Sequence, residues 1–492
     1  MADKAEKTIA MVHYHLRRGG VTRVIGAACE ALEKRGYRVL ILSGEKPFDS
    51  PDADNVRVVP ALKYRRTGNS VIASSFAEVL RKEARNWFGT DPDLWHFHNP
   101  TLAKNVLFPT VVRELAEEGE RVLLQIHDFA EDGRPANYTY QRSFFDSQET
   151  FESTLYPTAK QIHYATINRR DYGFLKNAGL SASNLHVIPN AVSSVPISSS
   201  QRDRPFAKDL AFGLYPSRGI RRKNLGELLL LAMKFEGEAF LATSLSPENP
   251  EWLAEHRRWE ELVEELDLPV KLGIADSGDY CFSDLVGWSD FILTTSVAEG
   301  FGLSYLEPWT VGRGVLGRDL PEITDDFRSN GLELPDLYSR IEIPLEWVDE
   351  KQLKEELESA LRRSYLAYNV RLPIGAVKQT WRAWTRRKLR KSTVDFGVLH
   401  EDFQMKILRK LRSEPECLEQ IEIPPLRLPD EKQIAAANRV VQEHYSVDRY
   451  GERLVAIYDS ILSGSTGKVG HLSTRRVLDQ FLAPSRLNLL RN

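Results

Sequence analysis

The first two hundred residues alternate short apolar runs with amphipathic stretches, and this rhythm restricts the fold more than any other property of the chain. Thr8–Val12 reads as a buried strand, and Val21–Lys34 sets Val21, Val24, Ile25, Ala28 and Leu32 at helical spacing. Gly36 closes that helix, and Val39–Leu42 reads as the next strand. Further strands are expected at Leu94–His98, Val122–Ile126, Tyr164–Ile167 and His186–Ile188. Strand, helix and strand in repetition predict a parallel sheet with helices on both faces. The stretch Ser193–Pro205, rich in Ser, Pro and Arg, reads as a linker. The pattern then restarts, with strands expected at Leu210–Leu214, Ala239–Ala242, Val270–Ile274 and Phe291–Thr294. The expected fold class is α/β, with two tandem Rossmann-like doubly wound domains. Ligands in such sheets sit at the carboxyl ends of the strands, and with two sheets the natural site is a cleft between them.

The expected domains are residues 1–200, residues 206–435 and a C-terminal helical extension, 436–492. A chain of 492 residues that is 42% hydrophobic can bury two sizeable cores. A net charge of −3 gives no general drive toward nucleic acid or a membrane surface. Cys29, Cys281 and Cys417 are too few and too scattered for a disulfide framework or a zinc cluster, which points to a reducing compartment. The charged start, Met1 to Lys7, does not read as a signal peptide, and no window reaches the roughly twenty apolar residues of a membrane span. A cytoplasmic location is expected.

From about Asp349 the rhythm weakens. Lys351–Tyr365 reads as a helix, Val377–Lys391 as a basic helix carrying Trp381 and Trp384, and Lys432–Leu462 as a long helical region. The tail from Ser463 is polar and expected to be partly mobile. The basic stretch Lys378–Lys391 could lie on an anionic membrane, but a helix packing its tryptophans on the protein is the preferred reading. A nucleic-acid role would require aromatics interleaved on a basic domain, which this sequence lacks.

Three clusters could carry chemistry. His13-Tyr14-His15-Leu16-Arg17-Arg18-Gly19-Gly20 joins a strand to a helix, where glycines admit close backbone approach and the helix start favours an anion. An ordinary tight turn explains it equally well. Arg218-Gly219-Ile220-Arg221-Arg222-Lys223 follows the first strand of the second repeat. Cations at that position suit a diphosphate better than a core, although charge runs are commonly only solvated. Ala298-Glu299-Gly300-Phe301-Gly302-Leu303 follows Phe291–Thr294, with Glu307 expected about two turns into the next helix. Such carboxylates can accept hydrogen bonds from sugar hydroxyls, although spacing alone does not distinguish them from surface acids.

In this order the pieces resemble family four of the retaining glycosyltransferases, which have the GT-B fold. The likeness runs from about Thr8 to Thr324. It implies that Gly19 and Gly20 lie near the donor phosphates, and that His127, in Gln125-Ile126-His127-Asp128, faces the reacting sugar. Ile188-Pro189-Asn190-Ala191-Val192 resembles the family's first-domain ending, with Ala191 for glycine. Arg218 and Lys223 resemble the pair that clamps the diphosphate. Glu299 and Glu307 resemble its two glutamates, the first implied to contact the transferred sugar and the second the ribose. Glu299-Gly300-Phe301-Gly302-Leu303 is a strong family signature, and Leu320-Pro321-Glu322-Ile323 resembles a later motif. Tyr450-Gly451-Glu452-Arg453-Leu454 resembles the terminal helix that crosses back onto the first domain. Two departures stand out. Gly317-Arg318-Asp319 replaces a pair of glycines, so a donor contact is expected to differ there, and residues of about 349–431 look inserted.

The resemblance implies retaining transfer of a hexose from a nucleotide-diphosphate sugar to a small polar, phosphorylated or glycan acceptor. Arg218, Lys223, Glu299 and His127 are the implied catalytic set, and His13, Arg17, His98 and Asp128 the expected acceptor-binding residues. The donor is a co-substrate. No cofactor or metal site is expected, since the cations would do the work of a divalent ion. A glycoside phosphorylase, or a non-catalytic nucleotide-sugar-binding protein of the same fold, is the alternative.

Overall fold

The computed structural model describes residues 6–47, 53–64, 73–194, 204–387 and 392–491. Most of the expected linker and residues 388–391 of the basic stretch lie outside them. The chain forms two compact units. One comprises Met1–Ala191, Ala367–Val370 and Tyr445–Ala483, and the other Val192–Leu366, Arg371–His444 and Pro484–Asn492.

The first unit is built on strands β1 (Thr8–His13), β2 (Arg38–Ser43), β3 (Val56–Val58), β4 (Leu94–His98) and β5 (Val122–Ile126), the short β6 (Pro157–Thr158), and β7 (Ile162–Thr166) and β8 (Leu185–Val187). All but β6 join one sheet in the order β3-β2-β1-β4-β5-β7-β8, and every pairing is parallel. β1, β4, β5 and β7 are buried along their whole length, as expected for strands covered on both faces. The order reverses between β1 and β4, which makes their carboxyl ends the topological switch point. Helix Gly20–Glu33 turns Val24, Ile25, Ala28 and Leu32 to the core, the stripe its periodicity predicts. β3 was not foreseen: Val56-Arg57-Val58 is a partly exposed edge too short to show a pattern.

In the second unit β9 (Ala211–Arg218), β10 (Ala239–Leu245), β11 (Val270–Lys271), β12 (Phe291–Thr294), β13 (Gly314–Arg318) and β14 (Leu337–Tyr338) form a sheet of order β11-β10-β9-β12-β13-β14. It too is wholly parallel, with its switch point between β9 and β12. β9 runs four residues beyond its expected end, so Arg218 is the last strand residue rather than part of the loop. β11 is shorter than expected, because the chain turns away at Gly273, whose φ is +64°. β13 carries no strand pattern in the sequence, because its two glycines and its arginine break the apolar run.

The segment after Leu337 is no simple appendage. β15 (Glu342–Pro344), β16 (Thr385–Arg387) and β17 (Ser392–Asp395) make an antiparallel sheet in the order β15-β17-β16. The expected basic helix therefore ends at Trp384 and continues as β16. Trp384 is buried and its indole N–H donates to the Leu487 carbonyl at 3.1 Å. Helix Glu350–Ala367 falls where a helix was expected.

The long helical region is two helices, Glu431–Tyr445 and Val447–Ser463, parted at Ser446, which caps the second. That second helix belongs to the first unit and packs on helix Gly20–Glu33. Tyr450, Leu454, Ile457, Tyr458 and Ile461 share one core with Ile25, Ala28 and Leu32. Gly451 permits the contact, since a Cβ there would lie 2.6 Å from the Ala31 methyl. The tail carries secondary structure of its own: β18 (Gly470–His471) pairs with β6, and helix Thr474–Phe481 sets Phe481 against Phe129 and Phe174. No helix among the described residues is long and apolar enough to cross a membrane.

Candidate active site

At the switch point of the second sheet two loops are tied together. Beyond β9 the chain makes a short 3-10 turn, Arg221–Lys223, and enters helix Leu225–Lys234 through Asn224, whose φ is +54°. The carbonyls of Lys223 and Asn224 accept from the Thr295 hydroxyl at 2.8 and 3.1 Å, and the Arg222 carbonyl accepts from the Val297 amide at 2.9 Å. The loop after β12 is thereby laced to the loop after β9.

This lacing brings sequence-predicted charges together. Lys223 Nζ donates to Glu299 Oε1 at 2.5 Å, and Arg222 donates to Glu299 Oε2 at 3.2 Å and to the Ala298 carbonyl at 2.8 Å. Burial alone would push the Glu299 carboxyl up, but Lys223 and Arg222 outweigh it and hold it at about 2. Arg218 stands apart from this knot, half-exposed, bonded to the Ser246 carbonyl at 3.2 Å and paired with the exposed Glu248 at 2.7 Å. Arg221 turns away from both, in a two-pronged pair with Glu401 at 2.5 and 2.9 Å. Of the four cations in the run the resemblance marks Arg218 and Lys223; Arg222, unmarked there, joins Lys223 on Glu299.

Gly300 is exposed, while Phe301 is buried with its ring edge-on to Phe327 at 5.7 Å. Gly302 has φ +87°, and a Cβ there would lie 2.8 Å from the Tyr305 ring, so the signature requires glycine. Leu303 opens a 3-10 turn. Glu307 does not lie two turns into a helix: it is the first residue of the four-residue helix Glu307–Thr310.

The departure at Gly317-Arg318 has a structural explanation. Gly317 has φ +140°, and a Cβ would fall 1.9 Å from the Thr294 carbonyl oxygen. Arg318 points into the protein, with Nε 2.9 Å from Glu227 Oε1 and Nη1 2.9 Å from Asp395 Oδ2. Tyr338 donates to Glu227 at 2.7 Å. All three charged side chains are buried, so Arg318 fastens β17 of the expected insertion to the main sheet. Gly397 leaves room for it, because a Cβ there would lie 2.2 Å from Arg318 Nη2.

In the first unit, the switch point carries Gly19 and Gly20 at the start of a helix that has no side-chain cap and no acidic residue in its first turn. Beside it His13 Nδ1–H donates to the His98 carbonyl at 3.2 Å. His98 Nδ1 and His127 Nε2 are 3.0 Å apart, and His96 Nδ1 lies 2.8 Å from the Tyr458 hydroxyl. Burial pushes His127 down to about 4 against the pull of Asp128, His13 and His96 to about 3, and His98 well below its usual value. All four are neutral at pH 7. His98 was expected to touch the acceptor, but its side chain has no exposed surface and lies behind His127. His13 is 3% exposed. Arg17 is exposed and forms a two-pronged pair with Glu45 at 2.6 and 2.7 Å. Asp128 pairs with Arg134 at 2.7 Å. Among the described residues no group of three or more His, Cys, Asp or Glu is placed to hold a metal.

Two wholly parallel doubly wound sheets, each with polar loops at its switch point, define the class: a GT-B fold. Residues 18–194 match the model described as Glycosyltransferase Family 4, and the chain carries a glycosyltransferase family 4 domain and is a glycosyltransferase. It is similar to the mannosylglucosyl-3-phosphoglycerate synthase of Petrotoga mobilis, 26% identical over 505 residues that span 96% of this chain and 95% of that one. In fold it resembles Anabaena Alr3699/HepE in complex with UDP, at TM-score 0.51 and 12% identity over 92% of this chain and 100% of that one. It likewise resembles sucrose-phosphate synthase (tll1590) from Thermosynechococcus elongatus, at TM-score 0.50 and 14% identity over 93% and 100%.

Proposed function

We propose that the enzyme moves a hexose from a nucleoside-diphosphate sugar, with retention of configuration, onto a small phosphorylated acceptor. The observation that carries the donor half is the convergence of Arg222 and Lys223 on Glu299 at the β9–β12 switch point; Arg218, apart from that knot, ends β9. In the reaction the anomeric C–O bond to the diphosphate breaks and a bond from the acceptor oxygen to the same carbon forms on the same face. The departing phosphate oxygen takes the acceptor proton, so no protein nucleophile is required.

Arg218 and Lys223 would offset the charge growing on the diphosphate, each lowering the barrier by about 3 kcal/mol, as aimed donors do at an oxyanion. Gly19 and Gly20 would add the uncapped amides of a helix start. Glu299 would accept from hydroxyls of the transferred sugar, Glu307 from the ribose, and His127 would meet the sugar as a neutral hydrogen-bonding group.

The acceptor half rests on the Petrotoga relative, whose name specifies a glycosylated 3-phosphoglycerate and whose match spans 96% of this chain and 95% of that one. Cations in the first unit suit such an acceptor. Arg17 and Arg134 flank Asp128 and Glu45, and Lys104 lies over the Tyr64 ring at 5.0 Å. The test is transfer from UDP-, GDP- and ADP-linked glucose and mannose to 3-phosphoglycerate, glucosyl-3-phosphoglycerate and their dephosphorylated forms, read by mass spectrometry. Hexose addition confined to phosphorylated acceptors supports the reading. Equal addition to the dephosphorylated forms overturns the acceptor half, and release of a sugar 1-phosphate from a glycoside with inorganic phosphate identifies a phosphorylase instead.

A further inference from the structure

The end of β4 holds His127 at two places. Asn99 follows the strand with φ +54°, a left-handed conformation that asparagine tolerates. Its side-chain oxygen accepts the amides of His127 at 2.7 Å and Asp128 at 3.0 Å, and its carbonyl accepts from the Tyr14 hydroxyl at 2.5 Å. The preceding residue, His98, holds the ring through the 3.0 Å bond between its Nδ1 and His127 Nε2, with the two rings 16° from parallel. Two neutral imidazoles sharing one hydrogen bond allow one proton between the facing nitrogens, so the tautomer of one dictates that of the other.

The surroundings of His98 decide which way the bond runs. Its Nε2 is buried and has no hydrogen-bond partner among the described residues. A proton there would be a buried N–H without an acceptor, a rarer arrangement than an unmatched lone pair. The proton therefore sits on His98 Nδ1 and is donated to His127 Nε2. His127 must then carry its own proton on Nδ1.

We propose that His98 is a positioning residue that fixes the ring and tautomer of His127, so that His127 presents an Nδ1–H donor rather than a lone pair. The inference rests on the reading of His127 as the group that meets the reacting sugar. It explains why His98 has no exposed surface although it adjoins the switch point, and it assigns the sugar-side partner of His127 as an oxygen that accepts.

The test is long-range 1H–15N correlation of the 15N-histidine-labelled full-length protein at pH 7.5, with the His127 signals assigned by their loss in His127→Gln. The expected result is a protonated Nδ1 and an unprotonated Nε2 on His127. In His98→Leu the two tautomers should mix, and in His98→Asn, whose carboxamide N–H replaces Nδ1–H, the wild-type pattern should return. A wild-type His127 protonated on Nε2, or one unmoved by His98→Leu, overturns the proposal, and the wild-type spectrum decides even if a variant does not fold. Under the transfer assay above, His98→Leu should lower kcat by roughly 10²-fold, the size of effect a small misplacement causes, with donor KM held within about twofold. His98→Asn should recover most of that loss; equal loss in both variants counts against positioning. Absence of any transfer would discredit the proposed function while leaving the spectra to decide this point.

Discussion

Replacing Glu299 by Gln separates two roles of one carboxylate. Glu299 is the counter-ion of Lys223 and Arg222, the cations that a bound diphosphate would share with it. Its carboxyl drops from 4.5 to about 2 on folding, and its side chain is only 12% exposed. At 1.36 kcal/mol per pKa unit this is a contribution of about 3 kcal/mol. Because the folded value is depressed, the contribution is complete above pH 4.5 and disappears as the pH falls toward 2. Glu299→Gln should therefore cost up to about 3 kcal/mol at pH 7, read as a lower urea midpoint by tryptophan fluorescence. The same change should tighten binding of a free nucleoside diphosphate, since its phosphates no longer compete with a carboxylate for Lys223 and Arg222, while sugar transfer is lost. A variant as stable as wild type would refute the ion-pair account. Weaker nucleoside diphosphate binding would refute the idea that carboxylate and diphosphate share the cations.

Arg318→Met should cost about 3–5 kcal/mol in the same denaturation experiment, because Glu227 and Asp395 would remain buried without their cation. Arg218→Ala should leave the melting temperature near wild type, since Arg218 is half-exposed and pairs with the exposed Glu248, yet lower kcat roughly 10²–10³-fold. Acid should weaken the first unit. His13, His96 and His127 are held at about 3 to 4 by burial, so the unfolded chain binds protons that the folded one does not. Each should remove about 1.4 kcal/mol per pH unit below 6.5, a loss visible as a steep fall in melting temperature between pH 6.5 and 5.

The sequence was most informative where a local pattern decides the structure. Two wholly parallel sheets followed from apolar runs separated by helical periodicity, and the ends of β4 and β5 fell at the expected residues. The Phe301-Gly302 signature was legible through resemblance alone, and the structure supplies its local reason, a positive φ at Gly302. Features fixed by distant partners were not legible. Arg318 reads as a missing glycine until Glu227 and Asp395, far away in sequence, close around it. His98 looks like a ligand-facing histidine because strand alternation does not show that His127 lies in front of it. The basic stretch from Val377 reads as one helix, since nothing local announces that Thr385–Arg387 will pair with β17.

On the proposed function, the β9–β12 switch point holds the donor's diphosphate. Calorimetric titration of UDP, GDP and ADP into the wild-type protein and into Arg218→Ala/Lys223→Ala tests it most directly. One of the three nucleotides should bind the wild type, and the double variant, still folded, should lose that binding by roughly 10²-fold or more. Undiminished binding to the double variant, or no binding of any of the three at millimolar concentration, would contradict it.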